Sequence, residues 1–407
     1  MNFLKKQLDQ ARPSFQAGGR FESLYPLFDV LENFLFSSQK VTSGRTHLRD
    51  GADVQRIMAI VWVATFPAMF WGVWNLGHLS LVAMEAAGIS SVSDWHAIPI
   101  ELLGGYQAGN LWHELWFGLC YFVPIYMVTF GVGIAWEAIF AIVRGHEINE
   151  GFFVTSVLFA LCCPPDVPLW QVALGISFGV VIAKEIFGGT GKNFINPALA
   201  GRAFLYLAYP ASWTGDTIWL GADGVSAATP LGLAAEGGLQ QVQQHYSLAE
   251  VALGTIPGSI GETSLIAIGI GAAILLYTRI ASWRIMAGVI LGMTLTSLLF
   301  YWSSSSSAVA SIPPHWHFAM GGLAFGMVFM ATEPVSAANT ALGRWIYGAI
   351  IGAMVILIRV LNPGFPEGMM LAILFANLCA PLIDHLVTES SLKRRLGRIE
   401  QLYRVKS

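Results

Sequence analysis

Residues 115–142 read LWFGLCYFVPIYMVTFGVGIAWEAIFAI, an apolar run that contains one charged residue, Glu137. A transmembrane helix needs about 20 predominantly apolar residues, and this run is longer. The whole chain agrees with that pattern, since 55% of its 407 residues are hydrophobic and 12% are charged. A soluble domain carries roughly 25% charged residues. The sequence therefore predicts an all-α integral membrane protein.

Further apolar runs raise the expected number of transmembrane helices to about ten. The third, fifth and eighth runs are short for a bilayer, which predicts half-helices or broken helices. The ten runs are Val54–Gly77, Leu115–Ile142, Gly151–Cys163, Leu169–Phe187, Ala198–Tyr209, Ser264–Tyr277, Arg284–Tyr301, Phe318–Ala331, Trp345–Leu361 and Met369–Ile383.

The placement of Lys and Arg predicts the orientation, because cytoplasmic loops carry an excess of both. Both ends of the chain are rich in them, so both termini are expected in the cytoplasm. Arg144, Lys184, Lys192, Arg279 and Arg344 then fall on cytoplasmic loops. The opposite loops, 78–114, 164–168, 210–262 and 302–317, contain neither residue type. The polar segment 210–262 is therefore expected on the exported side.

The chain also contains a weak internal duplication. A short apolar run, an acidic-proline turn, a long apolar run and Asn-Pro occur first over residues 152–197 and again over 318–363. Five spans in each half would make the repeats inverted, as in many transporters. The resulting division is an N-terminal cytoplasmic segment (1–53), a first five-helix repeat (54–209), an exported loop (210–262), a second five-helix repeat (263–385) and a cytoplasmic tail (386–407).

Several functions are disfavoured by the remaining composition. The net charge of −3 gives no basic field for nucleic acid. Residues 1–50 lack the apolar core of a signal peptide.

The cysteines and two neighbouring histidines are not expected to bind metal. No C-x-x-C pair occurs among Cys120, Cys162, Cys163 and Cys379, so the four cysteines are expected to be buried small residues. A contact with a cofactor of a partner subunit is the alternative for Cys120 or Cys379. For His315 and His317 we expect interfacial packing rather than a metal site, because no third ligand is near.

The exported loop contains the stretch DGVSAATPL at residues 223–231. Small residues surround the Thr229 hydroxyl, and Pro230 keeps the stretch out of regular helix. A neutral threonine is a poor nucleophile without activation, so the residues alone indicate a flexible loop. The stretch nevertheless resembles the flavin-transferase target motif, Asp-x-x-Ser/Thr-x-Ala-Thr, with Asp223, Ser226 and Thr229 at its positions and Ala227 where the family often has Gly.

That motif is found in the B and C subunits of sodium-translocating NADH:quinone reductases and in the related Rnf complexes. Residues 144–152 (RGHEINEGF), 191–198 (GKNFINPA) and 331–336 (ATEPVS) also resemble the B subunits. The resemblance implies FMN esterified through its phosphate to Thr229. Two alternatives are the D subunit of an Rnf-type ferredoxin–NAD reductase, which usually lacks the long N-terminal segment, and a flavin-free inverted-repeat transporter of the urea-channel type.

The resemblance implies further sites within the membrane. A non-covalent riboflavin is expected on the cytoplasmic side, with Asn193 and Asn196 as candidate contacts, although both fit helix capping and turn formation equally well. Glu137 and Asp384 match positions linked to sodium uptake, and an intramembrane carboxylate is a functional hypothesis by default. Interfacial placement with an Arg partner is the alternative. Gly133, followed by Ile134 where the family has a second glycine, is the candidate for the quinone site.

The implied role is that of a flavin-carrying subunit in a bacterial inner-membrane complex that couples electron transfer from NADH to ubiquinone to Na⁺ export. Its partners would be the five other subunits (A, C, D, E and F), ubiquinone, Na⁺ and a flavin transferase. NADH itself would be oxidised elsewhere, because no G-x-G-x-x-G motif follows a predicted strand.

Overall fold

The structure of the protein is a computed structural model, and its regular secondary structure is helical in the part of the chain that it describes. The described residues are 2–15, 18–21, 25, 28, 54–144, 151–222, 225–303, 307–362 and 364–406, and none of them belongs to a β-strand. The helices are α1 (Asn2–Phe15), α2 (Val54–Ala64), α3 (Phe66–Ala87), α4 (Ala97–Leu103), α5 (Leu111–Arg144), α6 (Gly151–Leu161), α7 (Leu169–Val181), α8 (Pro197–Ala208), α9 (Pro230–His245), α10 (Leu248–Leu253), α11 (Leu265–Tyr277), α12 (Trp283–Trp302), α13 (Pro314–Ala319), α14 (Leu323–Phe325), α15 (Ala341–Leu361) and α16 (Met369–Lys406).

Six helical segments in these ranges are long and apolar enough to cross a bilayer, which confirms a multi-pass membrane protein. They are Arg56–Ala87, Leu111–Arg144, Leu169–Phe187, Trp283–Trp302, Ala341–Leu361 and Met369–Arg398. The first was expected to end at Gly77 but continues for ten residues, because His78 pairs with Glu114 of α5 at 2.8 Å and is thereby satisfied inside the helix. It ends where Gly88 adopts a left-handed conformation (φ 69°). At the C-terminus α16 runs through residue 386, where a separate tail was expected.

The four other expected spans are short or broken. Helices α6, α8 and α11 have 11, 12 and 13 residues, which is about 16–20 Å at 1.5 Å per residue, against a hydrocarbon thickness of about 30 Å. The expected shortness of the third and fifth runs is confirmed. The sixth run was not expected to be short, but Ser264 caps the start of α11 and a turn at Arg279 (φ 58°) follows its end.

The eighth expected span is broken into α13, α14 and a π-helical turn, Gly326–Met330. Non-helical backbone at membrane depth is tolerated where its polar groups find partners inside the protein. Here the buried Arg359 guanidinium donates to the carbonyls of His317 (2.6 Å) and Met320 (2.9 Å). The Glu367 carboxylate accepts from the Gly322 N–H at 2.9 Å. The break is therefore stabilised by charged side chains from α15 and from the segment before α16.

The most extensive helix contact joins α12 and α15, and it depends on small residues. Gly292 lies directly against the backbone of α15, since a Cβ placed on it would be 2.2 Å from the Ala349 carbonyl oxygen. From the other side, a Cβ on Gly352 would be 2.1 Å from the Val289 carbonyl oxygen. In each helix a second glycine lies four positions before the one just named. This is the small-xxx-small spacing that allows membrane helices to approach each other closely.

The two duplicated patterns fold differently at their Asn-Pro pairs. Asn196 is the N-cap of α8, and its side-chain oxygen accepts from the Leu199 N–H at 3.0 Å. Asn362 instead follows the last residue of α15, and the next helix begins at Met369. Both patterns do contain a short or broken helix followed by a long one. The inverted five-helix repeat and the count of ten spans therefore remain predictions.

Candidate functional site

A cavity of about 320 Å³ lies beside Thr229, which is within the range of small-molecule sites. We call it the threonine cavity. It is bounded by the loop before α9, the C-terminal end of α6, α8, and the segments before α11 and α16. Its lining includes Cys162, Arg202, Tyr206, Trp213, Asp216, Trp219, Thr229, Gly232, Glu236, Glu262, Gly321 and Glu367. Aromatic walls together with a few convergent polar groups are the composition that a planar, partly polar ligand requires.

Thr229 is half-buried at this cavity and is the N-cap of α9. Its hydroxyl oxygen accepts from the Gly232 N–H at 3.1 Å, so the ordinary structural role of an N-cap is fulfilled. Pro230 at the first helical position has no N–H. An anion attached to the Thr229 oxygen would lie at the N-terminus of α9, where backbone N–H groups and the helix dipole favour negative charge. The site therefore fits a phosphoester.

The motif before Thr229 is tied to its surroundings by two hydrogen bonds. The Ala227 N–H donates to the Asp216 carbonyl at 2.9 Å, and the Tyr246 hydroxyl donates to the Ala228 carbonyl at 3.2 Å. Burial raises the pKa of Tyr246 further above neutral pH, so its hydroxyl remains a donor over a wider range of pH. Ser226 is exposed to solvent, whereas Asp223 lies outside the described residues. Residues 227–228 are thus held by specific contacts, where the composition had suggested a flexible loop.

One end of the threonine cavity carries fixed charges that the sequence analysis missed. Arg202 of α8 pairs with Glu262 through two nitrogen–oxygen contacts, of which the Nη2–Oε2 distance is 3.3 Å. The side chains are 10% and 9% exposed. A buried pair of this kind is weak evidence for stability, because desolvation offsets much of the attraction. Its position beside a cavity makes it a candidate functional element.

A second cavity opens at the opposite ends of α6 and α8, and we call it the asparagine cavity. It contains both predicted riboflavin contacts and a wall of apolar side chains. The lining includes Ile57, Met58, Thr155, Leu158, Lys184, Thr190, Asn193, Asn196, Phe329, Thr332 and Glu333. Helix α6 contributes Gly151 and Val154 here, and the residue just after its end, Cys162, lines the threonine cavity. The two cavities are therefore about one short helix apart.

The amides of Asn193 and Asn196 are already engaged in local structure. Asn196 caps α8 and donates to the Glu333 carboxylate at 2.8 Å. Asn193 accepts from the Gly191 N–H at 3.3 Å and donates to the Ile195 carbonyl at 3.2 Å. Asn196 keeps one further donor hydrogen and acceptor lone pair, whereas the second donor hydrogen of Asn193 is directed at the Glu333 carboxylate. Thr190 offers a clearer contact, because its buried hydroxyl has no hydrogen-bond partner in the described part of the chain.

Glu137 is 3% exposed and forms an ion pair with the equally buried Lys184. The alternative of a cationic partner for Glu137 holds, but the partner is Lys184 and not an Arg. Lys184 lies in the connection after α7 and folds back against α5, whereas Arg144 pairs with Glu185 at 3.4 Å. Lys184 also lines the asparagine cavity, which places the carboxylate one side chain away from it.

Asp384 has a well-defined structural role. Its Oδ1 accepts from the N–H (2.9 Å) and hydroxyl (2.6 Å) of Thr340, and its Oδ2 accepts from the Asn339 N–H at 2.6 Å. Thr340 is the N-cap of α15, so Asp384 ties α16 to the start of α15.

Gly133, the candidate for the quinone site, is packed against another helix instead of lining a cavity. A Cβ on it would be 2.2 Å from the Phe152 ring.

The cysteines and histidines largely follow expectation. Cys120, Cys162 and Cys163 are buried and Cys379 is partly buried. His317 is buried while His315 is exposed on the same short helix, so the two side chains do not converge. Most of the residues that were missed had a visible signal. Arg202 and Arg359 stand inside predicted spans, where a charge marks a buried partner or a pathway.

The helical fold, the two cavities and the buried ion pairs define a multi-pass membrane protein with internal polar sites. The profile of the NQR2, RnfD, RnfE family matches residues 41–393, and the chain belongs to this family.

Curated relatives cover nearly the full length of the chain. Proteins named as the B subunit of Na(+)-translocating NADH-quinone reductase are 54% identical in Chromohalobacter salexigens (97% of this chain, 96% of the relative) and 55% identical in Pseudomonas aeruginosa (97% and 99%). The protein of that name in Azotobacter vinelandii is 54% identical (96% and 98%).

Proposed function

We propose that the chain is the flavin-carrying B subunit of a complex that transfers electrons from NADH to ubiquinone and exports Na⁺. The observation that carries this proposal is the position of Thr229, at the N-terminus of α9 and on the wall of a cavity large enough for a ring system. Relatives of that name match the chain over 96–97% of its length. FMN, when bound, supplies electron-transfer chemistry that no amino-acid side chain in this site provides.

The residues around Thr229 would position a flavin in stages. The Thr229 oxygen would hold the phosphate at the N-terminus of α9, where Pro230 leaves the first turn open. Trp213 and Trp219 lie on the cavity wall and offer aromatic faces to an isoalloxazine ring. The hydrogen bond from Tyr246 to Ala228 holds the motif against the helix.

The test of attachment uses a matched pair of threonines from the same cavity. Thr229→Ala should abolish in-gel flavin fluorescence under denaturing conditions, because only a covalent flavin survives there. Thr214→Ala should retain the fluorescence, since Thr214 lies outside the motif and its hydroxyl donates to the Pro210 carbonyl at 2.7 Å. Both variants should insert into the membrane normally. A fluorescent Thr229→Ala band would refute the assignment, and a flavin-free parent protein would favour the transporter alternative.

A non-covalent riboflavin would bind at the asparagine cavity, which at about 50 Å³ would have to widen to admit the ring system. The support is the free hydroxyl of Thr190 and the remaining donor of Asn196, set against apolar walls. Thr190→Val keeps the side-chain shape and removes the hydroxyl. It should lower the content of extractable riboflavin while leaving the covalent flavin unchanged. Unaltered riboflavin content in this variant, and in Asn193→Ala, would exclude the cavity as its site.

The sodium path would include Glu137 and Asp384, with both termini in the cytoplasm and the loop 210–262 exported. Glu137 is the better supported of the two acids, because Lys184 separates it from the asparagine cavity and could yield its place to a cation. A hard cation such as Na⁺ prefers carboxylate oxygen ligands. The three hydrogen bonds to Asp384 leave it less free to bind an ion.

A further inference from the structure

The threonine cavity contains more fixed charge than holding a ligand requires. Arg202 and Glu262 form a buried pair at its wall, and Glu367 adds a second carboxylate. Glu367 is oriented by the Gly322 N–H at 2.9 Å. The backbone of Gly321 also borders the cavity, and a Cβ there would be 2.5 Å from the Glu367 carboxylate. The charges are therefore held in place by the broken helix and cannot rotate away without disturbing it.

The field of these charges is strong because water is largely excluded. Two unit charges interact several times more strongly near or inside a protein than they do in water. The Arg202 and Glu262 side chains are 10% and 9% exposed, which leaves little solvent to screen them. Glu236, on the same cavity wall, is exposed to solvent. Its charge is therefore screened more strongly than that of the half-buried Glu367 and that of Glu262.

We propose that Arg202, Glu262 and Glu367 set the reduction potential of the flavin attached at Thr229. The inference rests on the function proposed above. A flavin ring gains electron density when it is reduced, so a positive charge nearby favours the reduced form and a negative charge opposes it. Arg202 and the two carboxylates act in opposite directions, and their balance fixes the potential. These are positioning residues that act through their field and do not exchange electrons.

The inference predicts the sign of each change. Glu262→Gln removes a negative charge and leaves Arg202, which stays protonated in proteins, with Glu367 as its remaining counter-charge in the cavity. The flavin potential should therefore shift to a more positive value. Glu367→Gln removes a negative charge that faces Arg202 and the buried Arg359 but leaves the contact between Arg202 and Glu262 in place, so it should shift the potential in the same direction. Glu236→Gln is the matched control and should leave the potential unchanged, because its carboxylate is exposed.

The measurement is a spectroelectrochemical titration of the purified complex. The redox transition that is missing from the Thr229→Ala complex identifies the covalent flavin. Its potential can therefore be distinguished from those of the other flavins. In-gel fluorescence confirms that each glutamine variant carries this flavin. Thermal denaturation is recorded in parallel, since a purely structural role would lower stability and leave the potential where it was.

The outcomes separate this inference from the proposed function. Absence of a covalent flavin from the parent complex would overturn the proposed function itself. A flavin-loaded complex in which Glu262→Gln and Glu367→Gln titrate like the parent, or shift to more negative potentials, would overturn only the present inference. If Glu262→Gln fails to assemble, Glu367→Gln decides alone, because it leaves the Arg202 pair intact.

Discussion

Breaking the Glu137–Lys184 ion pair on one side should destabilise the protein by about 3–5 kcal/mol, the range measured when one partner of a buried pair is removed. Both side chains are only 3% exposed, so the remaining charge would have almost no solvent. At 1.4 kcal/mol for each power of ten, the cost corresponds to at least a hundredfold change in the folded-to-unfolded ratio. Lys184→Met and Glu137→Gln each keep the approximate shape of the side chain and remove its charge.

The double variant Glu137→Gln/Lys184→Met should recover most of this loss, since two neutral side chains of similar volume replace the pair. Thermal denaturation of the detergent-solubilised complex, followed by tryptophan fluorescence, gives the four stabilities of the cycle. The exposed pair of Lys393 and Glu389, with side chains 74% and 46% exposed, is the matched control and should contribute less than about 1 kcal/mol. Single costs that sum to the double cost within about 0.5 kcal/mol would show that Glu137 and Lys184 do not interact.

The same cycle separates a structural role of Glu137 from a role in sodium binding. If Glu137 only neutralises Lys184, the double variant should regain stability and the sodium stimulation of quinone reduction together. If Glu137 also binds sodium during turnover, the double variant should assemble with both flavins and still lack sodium stimulation. We expect the second result. A stable double variant with the parent's sodium dependence would remove Glu137 from the ion path.

Three further expectations concern packing, the loop at Asp384 and topology. Gly352→Leu should impair assembly, because the α12 backbone leaves no room for a side chain at this position. Gly269→Leu should not impair assembly, because Gly269 has open space around it. Expression level and gel filtration of the two variants test this difference. Asp384→Asn should destabilise the start of α15 by about 1–3 kcal/mol through loss of charged hydrogen-bond acceptors, and unchanged thermal stability would contradict that role. A cysteine replacing Gln240 should react with an impermeant thiol reagent outside intact cells and one replacing Gln10 should not, and the reverse pattern would overturn the proposed orientation.

Hydropathy alone located most of the membrane segments, because a long apolar run has few alternatives to a transmembrane helix. Hydropathy could not predict the residues at which these helices begin and end. Helix α3 continues past His78 only because Glu114 lies beside it on another helix, and that contact is not visible in a local window. The break in the eighth run was expected from its length, but its stabilisation by Arg359 joins residues about forty positions apart.

In the candidate site, too, contiguous residues could be recognised from the sequence, whereas contacts between distant residues could not. The Thr229 motif is contiguous in sequence and could be recognised from its residues. The ion partners are separated by 47 positions for Glu137 and Lys184 and by 60 positions for Arg202 and Glu262. A charge inside an apolar run indicates that a partner exists, but only the fold identifies it. Examination of Arg202 and Lys184 as intramembrane charges would have indicated that each has an ion partner, but it would not have identified that partner.

The short helices would allow ligands in the two cavities to take part in one process. A bilayer-spanning helix would place sites at its two ends about 30 Å apart, whereas α6, with 11 residues, is about 16 Å long. The threonine cavity begins at the C-terminal end of α6 and the asparagine cavity at its N-terminal end. Ligands bound in the two cavities would therefore lie closer together than the bilayer thickness allows for sites on its two surfaces. Each cavity also has a buried cation at its wall, Lys184 or Arg202, whose charge is balanced by a carboxylate from another element. Because such pairs cost desolvation and contribute little net stability, the ligands proposed for the two cavities would account for their presence there.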